Sequence, residues 1–142
     1  LFKLETLKLM IKTIIENIIQ DVQEGELNPL EAYARLKEAE QLVKQALLET
    51  FDLALDEADR YGEKAFTAHG FRIEKRSGRR TYHFEHIPDY VEANKFMKEV
   101  KQKYTDAYNQ SQKGNTLIDD SGEVLPMAKV TYSKDSLIVR PL

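Results

Sequence analysis

Cysteine is missing from all 142 positions. That excludes a disulfide framework and thiolate chemistry, and it fits a reducing cytosol. Glycine is sparse, with 6 scattered residues, and none of them forms a phosphate-cradling loop. No apolar run reaches the roughly 18 residues of a membrane span: Leu9 to Ile19 is interrupted by Lys12, Thr13, Glu16 and Asn17. No membrane partner is expected, and no small-residue cleavage site marks a signal peptide. A large excess of either charge is also missing. The net charge of −3 makes no bulk electrostatic demand for nucleic acid or membrane. Ser-His-Asp, nucleophile-elbow and His-Glu-x-x-His patterns are not found. The expectation is therefore a non-enzymatic protein without a cofactor.

What the sequence does hold is helix code and charge. Charged residues make up 32% and apolar residues 42%, a mixture suited to long exposed helices rather than a deep α/β core. The length suits one domain. Four stretches are expected within it: an antiparallel hairpin of two long helices over 1–61, an antiparallel β-hairpin over 62–88, a helix over 89–113 and a β-rich tail over 114–142.

The first helix spans about Phe2 to Val22. Leu4, Leu7, Ile11, Ile14 and Ile18 recur at alternating spacings of three and four, giving a coiled-coil-like ridge. Ile15, Ile19 and Val22 widen it into a second face, so the helix needs more than one neighbour. Two outcomes are open: these residues pack within the monomer, or self-association covers the surplus. The break at Gly25-Glu26-Leu27-Asn28-Pro29 leads to a second helix, with Asn28 as cap and Pro29 in the first turn. Leu36, Val43, Leu47, Phe51, Ala54 and Ala58 continue it at helical spacing for about 50 Å at 1.5 Å per residue. Acids gather near its end. Asp52, Asp56 and Asp59 form an acidic face that is a solvated surface or a contact for a host nuclease or defence protein.

From Phe66 to His86 the residues favour strands. Phe71 and Ile73 alternate with Arg72 and Glu74, and Tyr82 and Phe84 alternate with Thr81, His83 and Glu85. Arg76-Ser77-Gly78-Arg79 between them predicts the turn of a β-hairpin, with His69-Gly70 as a bulge or small turn at its start. That arrangement gathers Arg72, Lys75, Arg76, Arg79 and Arg80 at a basic tip. Forked guanidinium donors there suit phosphates, with Tyr82 or Phe84 available to stack on bases. The competing outcome is pairing with the acids of the second helix. His83, Glu85 and His86 form a short cluster, but alternation along a strand turns His86 away from the other two, which does not close a tetrahedral metal site.

A third helix is predicted from about Asp89 to Gln112, with Tyr90, Ala93, Phe96, Met97, Val100, Tyr104 and Ala107 on one face and Gly114 ending it. Asp119-Asp120-Ser121-Gly122 signals a turn. Ala128–Tyr132 and Ser136–Val139 are strand candidates in a tail that is either paired or loose. The fold class is thus α+β, mainly helical.

Three strings carry a resemblance. Gly25-Glu-Leu-Asn-Pro-Leu-Glu31, Gly70-Phe-Arg-Ile-Glu-Lys75 and Val130-Thr-Tyr-Ser-Lys-Asp-Ser-Leu-Ile-Val139 resemble small accessory proteins of tailed phages and prophages. The order of helices and β-hairpin is similar to that of the siphovirus Gp157-like and Gam-like nuclease-inhibitor groups. The resemblance implies a bacterial host cytoplasm and a part in phage DNA metabolism or counter-defence. Its partners would be copies of itself, a host or phage protein, or nucleic acid.

Overall fold

The computed structural model describes residues 2–142, excepting the side chain of Phe2. It is mainly helical α+β: α1 (Phe2–Gln23), α2 (Pro29–Asp59), β1 (Ala65–Ala68), β2 (Phe71–Glu74) and α3 (Pro88–Gln112). The chain divides into two compact units. One comprises the residues up to Arg76 with Ser136–Leu142, the other Ser77–Asp135.

Local chemistry sets the helix ends. Gly25, at φ 80°, lets the chain leave α1 in the left-handed region that other residues adopt at a cost. Its N–H donates to the Val22 carbonyl at 3.2 Å, and the Glu26 N–H reaches back to the Asp21 carbonyl at 2.8 Å. These two bonds satisfy carbonyls that the helix end would orphan. α2 then starts at once. The Asn28 Oδ1 accepts from the N–H groups of Leu30 and Glu31, at 2.9 and 3.1 Å, and Pro29 follows where no N–H is needed. With no Gly or Pro inside it, α2 runs unbroken for 31 residues. The same closing pair of bonds ends α3: Gly114 N–H to Ser111 at 3.1 Å and Asn115 N–H to Gln110 at 2.9 Å.

The β-hairpin differs from the expectation. β1 pairs antiparallel with β2, Phe66 facing Ile73 and Thr67 facing Arg72. The two-residue turn is His69-Gly70, at φ 53° and 81°. Two successive positive φ values bend a hairpin in the sense that matches strand twist. Segment 75–84 carries no strand, and Ser77-Gly78 is not a hairpin turn. The alternation of β2 does hold, since Phe66, Ala68, Phe71 and Ile73 share one face and Thr67, Arg72 and Glu74 the other. The hairpin is fastened to the end of α2. Lys75 N–H donates to the Lys64 carbonyl at 2.7 Å, the Lys75 ammonium pairs with Asp59, and the Tyr61 and Phe66 rings stack at 4.1 Å.

The tail is also corrected. Neither Ala128–Tyr132 nor Ser136–Val139 forms a strand. One isolated antiparallel bridge joins Ile118 to Val124 around the expected turn. Asp119 organises that turn, its Oδ1 accepting from the Ser121 N–H at 2.9 Å, the Ser121 hydroxyl at 2.6 Å and the Glu123 N–H at 3.0 Å. The Ser121 hydroxyl, followed by the Glu123 N–H, holds this carboxyl below the usual carboxylate range.

Burial is slight throughout. Among the described residues only Ala32 and Ala107 are buried, each 5% exposed.

Candidate interaction surfaces

The α1 ridge is bare. Leu4 is 67% exposed, Leu7 47%, Ile11 46% and Ile14 54%. Only toward the turn does cover arrive: Ile18, Val22 and Leu27 are half-buried, and Ala32 of α2 is buried. Within its own unit the ridge is thus covered at Ile18 and left exposed at Leu4, Leu7, Ile11 and Ile14. Ile15 and Ile19 on the second face are exposed as well. α2 continues the theme with Leu42, Val43, Leu47, Leu48, Phe51 and Leu53 exposed. Single exposed apolar residues are ordinary, but contiguous apolar rows along two long helices are the signature of a contact surface.

Charges along α1 are segregated. Lys3, Lys8 and Lys12 lie in its first half with Glu5 as the lone acid. Glu16 and Asp21 lie in its second half, and Glu24 follows directly. Lys3 thus stands at the positive end of the helix dipole, while Asp21 and Glu24 stand at the negative end, the reverse of what an isolated helix favours. Lys12 pairs with Glu16 at 3.8 Å where the halves meet.

The acidic face of α2 is only partly open. Asp52 and Asp56 are exposed, while Asp59 is engaged by Lys75. Earlier in the helix Glu40 accepts from Lys37 at 2.9 Å and pairs with Lys44 at 3.2 Å. Both contacts hold its carboxyl below the usual range.

The five basic residues do not form a hairpin tip. Arg72 projects from β2 opposite Thr67, and Lys75 is held by Asp59. Arg76 donates to Glu74 at 3.3 Å and Arg80 approaches the Tyr82 hydroxyl at 3.5 Å. Arg79 and Tyr82 are exposed in the irregular segment. Local pairing thus takes up much of this cationic run.

Concave features are shallow. A groove of about 550 Å³ lies between Glu31–Leu42 of α2 and Val139–Leu142. Its charges answer one another, Arg35 pairing with Glu38 at 3.1 Å. Among the described residues no group of three or more His, Asp or Glu is placed to hold a metal ion. No helix among them is long and apolar enough to cross a membrane. No family model, no curated protein and no solved structure matches the chain.

Proposed function

We propose that this is a non-enzymatic interaction protein that works as an assembly of its own copies. The observation that carries the reading is the bare ridge of Leu4, Leu7, Ile11 and Ile14 on a helix with a well-formed C-terminal exit. Burying such side chains is worth about 1.5–3 kcal/mol each, and this chain leaves that gain unrealised on its own. The high charge fraction keeps the rest of the surface wet, as expected of a protein whose apolar rows are reserved for contact. Sedimentation velocity at micromolar concentration tests it. Species larger than the 16.5 kDa chain are expected, and a monomer across that range would overturn the reading.

The resemblance of the three strings supports a place among phage or prophage accessory proteins in a bacterial host. Affinity capture from prophage-bearing cells, with and without nuclease treatment, tests that placement. Recovery of phage or host proteins that survives nuclease supports it.

A second reading is nucleic-acid binding through the basic run. It is favoured by Arg72 and Arg79 being exposed and by Tyr82 standing 67% exposed nearby in the chain. It predicts a salt-sensitive shift of single-stranded or duplex DNA that Arg72→Glu with Arg79→Glu abolishes. The absence of binding at low salt would eliminate it.

A further inference from the structure

We infer that the partner of the α1 ridge is the α1 of a second copy, lying antiparallel. This deepens the self-association reading and rests on it. The argument is one of charge and register.

With Leu4, Ile11 and Ile18 as one row of the ridge and Leu7 and Ile14 as the other, the next ridge position by spacing is Asp21. An acid on the ridge line is costly to bury unless a cation meets it. In a parallel pair Asp21 would meet Asp21 of the other copy, and the lysine-rich halves would lie together. Lys3 and Lys8 would face one another across the seam, since they occupy the positions flanking Leu4. Every one of these contacts is repulsive.

Reversing one helix changes all of them. Setting Ile11 opposite Ile14 places Leu7 opposite Ile18 and Leu4 opposite Asp21. The carboxylate of Asp21 then falls between Lys3 and Lys8 of the other copy. Glu24 comes to the Lys3 side of the seam, and each basic half lies on an acidic half. The charge order that opposes the dipole of a single α1 becomes attractive between two. The half-buried Ile18 and the exposed Leu7 become partners.

The lack of native cysteine makes the orientation directly readable. Leu7→Cys and Ile18→Cys chains are prepared separately, oxidised alone and after mixing and re-equilibration, and each sample is sized by sedimentation for assembly and by non-reducing denaturing electrophoresis for crosslinks. The expected result is a disulfide-linked heterodimer from the mixture and no crosslink from either chain alone. Crosslinking of Leu7→Cys or Ile18→Cys with itself, or an assembly whose mixture yields no crosslink, overturns the antiparallel pairing while self-association stands. A monomer in every sample, and in the unsubstituted chain, removes both. Charge reversal gives a second readout that leaves the apolar ridge residues untouched. Lys3→Glu with Lys8→Glu should weaken assembly about tenfold, and adding Asp21→Lys with Glu24→Lys should restore it. An unchanged affinity in the first variant contradicts the pairing.

Discussion

The ridge of α1 and the C-terminal end of α3 are built from the same kind of sequence and meet different fates. Near the end of α3, Ala107 is buried and Tyr104 and Tyr108 are half-buried. The following tail lies on them: the Ala128 N–H donates to the Tyr104 carbonyl at 3.1 Å, and the Tyr108 and Tyr132 hydroxyls stand 3.5 Å apart. That contact pushes the Tyr108 phenol above its ordinary range. α1 has no such strap, and its apolar row stays open. Amphipathic periodicity therefore announces that a helix needs cover, and says nothing about whether the cover comes from the same chain.

The contrast can be broken most forcefully at the ridge. Ile11→Asp combined with Ile14→Asp should weaken assembly at least about 1,000-fold by sedimentation, since each copy loses two buried isoleucines and gains two buried acids. Amide exchange at Ala128 should stay as it was, because the α3 strap does not depend on α1. Ala107→Leu attacks the other side of the comparison. A larger side chain at a site only 5% exposed should destabilise the Ser77–Asp135 unit by about 1–3 kcal/mol in urea unfolding. Assembly through α1 should persist.

Smaller effects sharpen the picture at the turns. Gly25→Ala places a Cβ at φ 80°, with open space around it, so the penalty is backbone strain alone, about 1–2 kcal/mol. Circular dichroism should show earlier thermal loss of helix. Asp119→Ala should leave global unfolding nearly unchanged and speed amide exchange at Ser121 and Glu123, which lose their acceptor. Acid should mimic it. The Asp119 carboxyl sits below its ordinary range in the folded chain, so its contribution is full above the unfolded pKa and fades as pH falls through the folded one. Exchange at those two amides should accelerate only there.

The elements readable from sequence were those written in consecutive residues. The Gly25 exit, the Asn28 cap, the unbroken run of α2 and the Gly114 stop all depend on side chains within four positions of the backbone groups they satisfy. The hairpin was misread because two turns competed. Ser77-Gly78 has the stronger strand residues behind it, in Tyr82 and Phe84. His69-Gly70 has the correct two-residue length and a residue type that tolerates positive φ. The deciding contacts lie outside the turn itself, the Lys75–Asp59 pair and the Tyr61–Phe66 stack, which fix β1 and β2 beside the end of α2. The same reason dissolved the basic tip. Its cations were adjacent in sequence, but the strand that was to gather them ends at Glu74. The ridge residues themselves were legible in full. Their partner was not, because no spacing rule distinguishes an internal neighbour from a foreign one.

The tight exits of α1 and α3 have a kinetic consequence. Local caps let these helices form on the sub-microsecond scale of isolated segments, before any encounter takes place. In the proposed assembly the last step is then a collision between preformed rods. Its half-time should shorten in proportion as protein concentration rises, and a freshly diluted sample should mature slowly.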